Sequence, residues 1–224
     1  MMEWYKFKDR DFLESELVDK VRGALQNAID ERGSATLLVS GGSTPVGFFK
    51  TINELDLDWS KVLVSLVDER WSQNFRNESM VRDLLLQNKA SEAKYVSLIQ
   101  SEESEKSNLN EAQKATQAFI DNLDCVILGM GGDGHTASLF PNDNASVLAM
   151  QSNSTAGHLA MTNAPKDPIR RITFTLDAIL KAKTIFLHIY GENKLEVLLS
   201  KNKELPITTV ISKRKGHLAT YYSA

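Results

Sequence analysis

The sequence predicts an α/β fold: a mainly parallel, doubly wound sheet with helices on both faces. Short, near-continuous apolar runs read as strands buried on both sides. Helical periodicity fills most of the intervals between them. The densest glycine and charge clusters stand at the ends of those runs, where such sheets bind their ligands. Phe12, Leu13, Leu17, Val21, Leu25 and Ile29 recur at helical spacing, and the pattern stops at Gly33, a natural left-handed residue for a helix end. Residues 36–40 then form a first strand, Val46-Gly47-Phe48-Phe49 opens a helix, and residues 62–67, 125–128 and 184–189 form further strands. Ile172-Thr173-Phe174-Thr175 and Ile207-Thr208-Thr209-Val210-Ile211 read as two more, and residues 101–106 as a solvated loop or helix start. No repeat, low-complexity tract or linker divides the chain, so a single domain is expected over residues 1–224.

Composition narrows the function classes. At 224 residues and 42% apolar, the chain can bury a sizeable core. A net charge of -3 supplies no field for nucleic acid, and Lys213-Arg214-Lys215 reads as a solvated turn. Cys125 is the only cysteine and lies inside an apolar strand; it reads as a small buried hydrophobe, and one Cys among scattered His gives no zinc spacing. No apolar run approaches membrane-spanning length, and Met1-Met2-Glu3-Trp4-Tyr5-Lys6 lacks a signal-peptide core, so the expected location is the cytoplasm. The partners expected are small molecules, with neither nucleic acid nor membrane engaged and the chain a monomer or weak homodimer.

Three strand ends carry chemistry. The first strand runs into Ser40-Gly41-Gly42-Ser43-Thr44-Pro45 and a helix, a composition that suits a phosphate because free N–H groups and the helix dipole both favour an anion; read alone, it is also a simple turn. The second ends in Asp68-Glu69-Arg70, which read alone is also an ordinary surface ion pair. Its copy, Asp30-Glu31-Arg32, closes the first helix, where Arg32 merely complements the dipole. The third runs into Gly129-Met130-Gly131-Gly132-Asp133-Gly134-His135-Thr136-Ala137-Ser138-Leu139-Phe140-Pro141. Turn chemistry asks for one or two glycines; four, with a carboxylate and an imidazole, fit a loop built around a ligand and coupled acid–base work by Asp133 and His135. Gly129, Gly131 and Gly134 also match the dinucleotide fingerprint. That reading fails because the match follows several α/β units, Asp133 and His135 stand where pyrophosphate needs bare backbone, and Pro141 interrupts the required helix. His188 reads as a satisfied core residue and His158 and His217 as surface positions, while Ser138, without a Gly-x-Ser-x-Gly elbow, is assigned to helix capping or packing.

These segments, together with Arg171-Ile172-Thr173-Phe174-Thr175 and Gly191-Glu192-Asn193-Lys194, occur in the order seen in 6-phosphogluconolactonases. The chain resembles that family, which belongs with glucosamine-6-phosphate isomerases in one sugar-phosphate superfamily, over roughly residues 36 to 211; the implied fold is Rossmann-like, of the sugar-phosphate isomerase type. The isomerase branch usually has an aromatic residue where this chain has Arg70. It also ends its His loop in Asn–Glu–Pro, where this chain has Leu139-Phe140-Pro141, so the Glu used for amino-sugar ring opening is missing. The chain also departs from the family's usual aromatic–Asp terminus, ending Tyr221-Tyr222-Ser223-Ala224.

The resemblance implies hydrolysis of 6-phospho-D-glucono-1,5-lactone to 6-phospho-D-gluconate in the oxidative pentose phosphate pathway. His135 is the expected general base activating water and then the acid for the leaving ring oxygen, since imidazole chemistry suits neutral pH. Asp133 orients either the imidazole or the water. Gly41, Gly42, Ser43 and Thr44 cradle the phosphate with Arg171 and Lys194, Gly131 and Gly132 line the substrate, Arg70 contacts phosphate or oxyanion, and Asp68 holds Arg70 or sugar hydroxyls. The scheme requires neither metal nor organic cofactor. A glucosamine-6-phosphate isomerase or deaminase would share the cradle but need the missing Glu. A non-catalytic sugar-phosphate sensor should lose His135 and add an N-terminal DNA-binding module, for which no room is expected before the first strand.

Overall fold

The computed structural model describes residues 2–151 and 157–224. After strand β1 (Glu3–Phe7), helix α1 (Arg10–Arg32) obeys the sequence periodicity, burying Leu13, Leu17, Val21, Leu25 and Ile29. The Asp9 carboxylate caps its start by accepting from the Phe12 N–H (2.8 Å), and Gly33, at φ 77°, ends it by donating to the Ile29 carbonyl (2.7 Å). There follow β2 (Ala35–Val39), α2 (Val46–Ile52), β3 (Val62–Leu66), β4 (Asp68–Arg70), α3 (Asn77–Met80), β5 (Lys94–Val96), α4 (Glu105–Ala115), α5 (Gln117–Asp121) and β6 (Cys125–Leu128). The chain continues through α6 (Asn144–Ala149), β7 (Leu159–Asn163), β8 (Arg170–Phe174), α7 (Leu176–Leu180), β9 (Thr184–Tyr190), α8 (Glu192–Leu199), α9 (Pro206–Lys213) and β10 (His217–Ser223).

Seven strands form one parallel sheet in the order β1-β10-β9-β6-β2-β3-β5. Winding reverses between β2 and β6, because the chain builds outward from β2 through β3 to β5 and, on the other side, from β6 through β9 to β10. Such a switch point leaves a crevice beyond the carboxyl ends of the two strands. The loops leaving β2 and β6 are stitched together there: Ser40 N–H donates to the Ile127 carbonyl (3.0 Å) and Gly129 N–H to Ser40 Oγ (3.1 Å). A second, antiparallel sheet of order β4-β8-β7 adjoins these ends. It is joined through Val67, whose N–H donates to the Val39 carbonyl (2.9 Å) and whose carbonyl accepts from Phe174 N–H (3.0 Å). Both sheets share a continuous apolar cluster that includes Leu37, Val126, Ile172 and Phe174.

Several local expectations are corrected. Residues 207–211 are not a strand but part of α9: Pro206 starts the helix, and Ile207 and Val210, three apart, are buried on one face, so the helical period overrides the β-branched composition. The run at 172–175 is a strand as far as Phe174, but of the antiparallel sheet, and Thr175 caps the helix that follows. Arg214 is not part of a purely solvated turn, since it donates to the carbonyls of Leu180 and Lys183, both at 2.7 Å. His158 is half-buried, with Nε2 2.8 Å from Thr116 Oγ1, whereas His217 is exposed. Ser104 caps α4, accepting from Ser107 N–H (3.1 Å), which makes the 101–106 segment a helix start.

Arg32 does more than complement a dipole. It donates to both oxygens of Asp124 (2.7 and 2.6 Å), a carboxylate 1% exposed that also accepts from Thr36 N–H (3.0 Å). Removing Arg32 would leave this buried charge with Lys183 Nζ, at 3.5 Å, as its remaining cation. Arg32→Ala is therefore expected to cost about 3 kcal/mol of stability, read from urea unfolding midpoints; a change below about 0.5 kcal/mol, the scale of ordinary surface substitutions, would contradict this.

His188 is core, as expected, but not fully satisfied. Nε2 lies 2.7 Å from the Tyr190 hydroxyl, which donates to Glu14, while Nδ1 has no hydrogen-bond partner. Burial drives its pKa down to about 3 from 6.5, helped by the Lys194 and Arg10 charges. Below pH 6.5 the unfolded chain therefore takes up a proton that the folded chain refuses, and stability falls with pH across that window towards about 3. His188→Phe should flatten this acid dependence and leave stability near pH 7 unchanged or higher. Parallel denaturation curves near pH 7 and pH 5 check it, and an equal acid loss in both proteins would refute it.

Candidate active site

The two glycine loops, the β3–β4 junction and the start of α8 converge on one cleft of about 830 Å³ at the switch point. Every candidate from the sequence lines it: Gly41, Gly42, Ser43 and Thr44 after β2; Asp68 and Arg70 on β4; Gly131, Gly132, Asp133 and His135 after β6; Arg171 on β8; and Lys194 on α8. No helix follows the β6 loop until Asn144, so the glycines do not open the helix that a dinucleotide fingerprint needs.

The β6 loop is a tight turn closed by Gly131 N–H on the His135 carbonyl (2.9 Å) and Gly134 N–H on the Gly131 carbonyl (3.0 Å). Within it, His135 Nδ1 lies 2.5 Å from Asp133 Oδ1, which also accepts from the His135 backbone N–H (3.2 Å). The hydrogen bond to His135 holds the Asp133 pKa below its ordinary value. Gly131 makes room for this pair: a Cβ there would lie 2.2 Å from His135 Cε1 and 2.6 Å from Asp133 Oδ1. Phe140 packs against the imidazole, with ring centroids 4.7 Å apart.

Arg70 and Arg171 face each other across the β4–β8 register, so their side chains share one face of the antiparallel pair. Like charges directly opposite are unfavourable without an anion between them. Each guanidinium has a buried Nε with no hydrogen-bond partner, while Arg70 Nη1 donates to the Phe75 carbonyl (2.7 Å). Lys194 reaches Thr44 Oγ1 (3.3 Å), tying α8 to the β2 loop. Burial, then the Arg10 charge, lowers the Lys194 pKa, and burial lowers that of Arg171. None of these cations is ion-paired with a carboxylate among the described residues.

Asp68 is buried and accepts a hydrogen bond from Ser138 Oγ; burial raises its pKa against that bond and the charges of Arg171, His135 and Arg70. Ser138, 1% exposed, is therefore a support for Asp68 and caps no helix. Glu69 is no surface ion pair. It is 1% exposed and accepts from the backbone N–H groups of Arg70 (2.7 Å), Asn77 (2.8 Å) and Glu78 (2.7 Å), which oppose a burial shift that pushes its pKa up to about 7. Sequence reasoning missed Asn77 and Lys166, which also line the cleft. Neither sits in a glycine-rich or strand-end motif; only the β4–α3 turn and the β7–β8 loop bring them there.

The model of the family described as glucosamine-6-phosphate isomerases/6-phosphogluconolactonase matches residues 8–220. The chain belongs to this family. Among its members, a 6-phosphogluconolactonase of Rhizobium meliloti is 38% identical over 226 residues, covering 97% of each chain. One from Pseudomonas aeruginosa is 41% identical over 189 residues, covering 81% of this chain and 77% of that one. The crystal structure of a 6-phosphogluconolactonase from Shewanella baltica matches with a TM-score of 0.93 at 36% identity, over 100% of this chain and 98% of that one. Family membership accounts for the mostly parallel α/β sheet and for the resemblance of the strand-end motifs. Among the described residues, no helix is long and apolar enough to cross a membrane.

Proposed function

We propose that the chain, acting as one domain, hydrolyses 6-phospho-D-glucono-1,5-lactone to 6-phospho-D-gluconate, the ring-opening step of the oxidative pentose phosphate pathway. The observation that carries this reading is the sharing of one cleft by a hydrogen-bonded Asp133–His135 pair and three cations that have no carboxylate ion pair among the described residues. The cations call for a dianionic phosphate, and the imidazole supplies the proton transfers that opening an ester ring requires. Family relatives that carry the name 6-phosphogluconolactonase support the same substrate.

In this reading the phosphate lies on the Gly41-Gly42-Ser43-Thr44 loop against Lys194 and Arg171, with Arg70 beside Arg171 on the same anion. His135 Nε2 takes a proton from a water as its oxygen attacks C1. The C1–O5 bond then breaks, the electron pair goes to O5, and the imidazolium returns the proton there. Asp133 keeps the ring in the tautomer that leaves Nε2 free and stabilises the imidazolium between the two transfers. Asp68, held by Ser138, faces the sugar.

Glucosamine 6-phosphate separates this reading from the isomerase branch of the same family. The loop after His135 offers Leu139-Phe140-Pro141 in place of a carboxylate, so no ammonia should be released above the protein-free control. Ammonia release matching or exceeding the rate of lactone hydrolysis would overturn the assignment.

A further inference from the structure

We propose that Asn77 is a specificity-determining residue whose carboxamide reads a secondary hydroxyl on the sugar ring of the lactone. The inference deepens the functional reading above and rests on it. Asn77 is 6% exposed and lines the cleft, yet its carboxamide makes no hydrogen bond to any described residue. Its Oδ1 and Nδ2 both keep some accessible surface, so their free donor and acceptor sites open onto the cleft that the residue lines, where a bound molecule can fill them.

The protein invests in placing this group. Glu69 accepts the Asn77 backbone N–H, and with it those of Arg70 and Glu78, so one buried carboxylate fixes the turn that carries both Arg70 and Asn77. On the opposite side the carboxamide lies directly on Gly41: a Cβ there would be 2.1 Å from Asn77 Cγ and 2.3 Å from Nδ2. Gly41 is thus required by the amide that overlies it as well as by any anion its loop holds. The chemistry of the group decides what it reads. A phosphate dianion is served by Arg70, Arg171 and Lys194, to which a neutral amide adds little. A hydroxyl is donor and acceptor at once, as the amide is, and a site built to bond a hydroxyl rejects the analogue that lacks it. Glu69 is the positioning residue and Asn77 the reader.

The test compares kcat/KM for wild type and Asn77→Leu on the parent lactone and on its 2-deoxy, 3-deoxy and 4-deoxy analogues, with inhibition by inorganic phosphate measured alongside. One deoxy lactone is expected to lose at least about 10-fold against the parent in the wild type. Asn77→Leu should treat that pair alike and keep the wild-type inhibition by phosphate. If the leucine perturbs folding, Asn77→Ala gives the same contrast. A variant that loses the same factor on every lactone together with weaker phosphate inhibition would place Asn77 on the phosphate and overturn the proposal. So would a wild type indifferent to all three deletions. A wild type that leaves the parent lactone to its spontaneous rate would instead overturn the functional reading, and this inference with it.

Discussion

His135→Ala is expected to lower kcat on the phosphorylated lactone by at least about 100-fold with little change in KM, because a positioned acid–base group contributes about 10²–10⁴-fold and the cations proposed to hold the phosphate are untouched. The geometry grades the neighbouring substitution. Asp133 touches His135 through both Nδ1 and the backbone N–H, so Asp133→Asn should cost less than His135→Ala yet still measurably, by weakening the hold on the ring and its tautomer. Steady-state kinetics with circular dichroism to verify folding checks both. Near-normal turnover in folded His135→Ala removes the imidazole from the mechanism, and wild-type turnover in Asp133→Asn removes the carboxylate.

Arg171→Ala and Lys194→Ala are each expected to weaken binding of 6-phosphogluconate by about 1.5–3 kcal/mol, the range for charge-assisted hydrogen bonds. Stability responds differently. Arg171 faces Arg70 across the β4–β8 register but is also attracted to the buried Asp68, so its loss removes a repulsion and an attraction together and should leave the Tm close to that of the wild type. Unphosphorylated gluconolactone should be a poor substrate for the wild type and insensitive to both substitutions. Titration calorimetry decides the matter: affinities equal to wild type in both variants would mean the cations serve something other than the phosphate.

The residues that line the cleft were more legible in the sequence than the strand pairing that brings them together. The β2 and β6 loops declare themselves because a ligand loop needs glycine and charge in one short stretch, and both stand after apolar runs that are buried strands. Arg171 and Lys194 needed the family resemblance, since nothing in their neighbours marks them. What stayed hidden depends on distant pairing. Arg32 and Asp124 are 92 residues apart, so the copy of Asp-Glu-Arg at 30–32 looked like a solvated helix end. The opposition of Arg70 and Arg171 exists only once β4 and β8 pair antiparallel, which strand composition does not reveal. β1 and β10 went unread: β1 is a five-residue edge strand whose partner lies at the other end of the chain, and β10, His217–Ser223, mixes polar residues among its apolar ones. Residues 207–211 misled because their β-branched side chains favour a strand, while Pro206 and the three-residue spacing of Ile207 and Val210 favour the helix that forms.

Lactonase activity is decided by the decay of 6-phospho-D-glucono-1,5-lactone at fixed pH, followed by NMR at C1 with and without the wild-type protein because the lactone also hydrolyses spontaneously. The account predicts a decay rate proportional to protein concentration, with 6-phospho-D-gluconate as the sole product and little acceleration for the unphosphorylated lactone. Decay at the spontaneous rate at every protein concentration would contradict it.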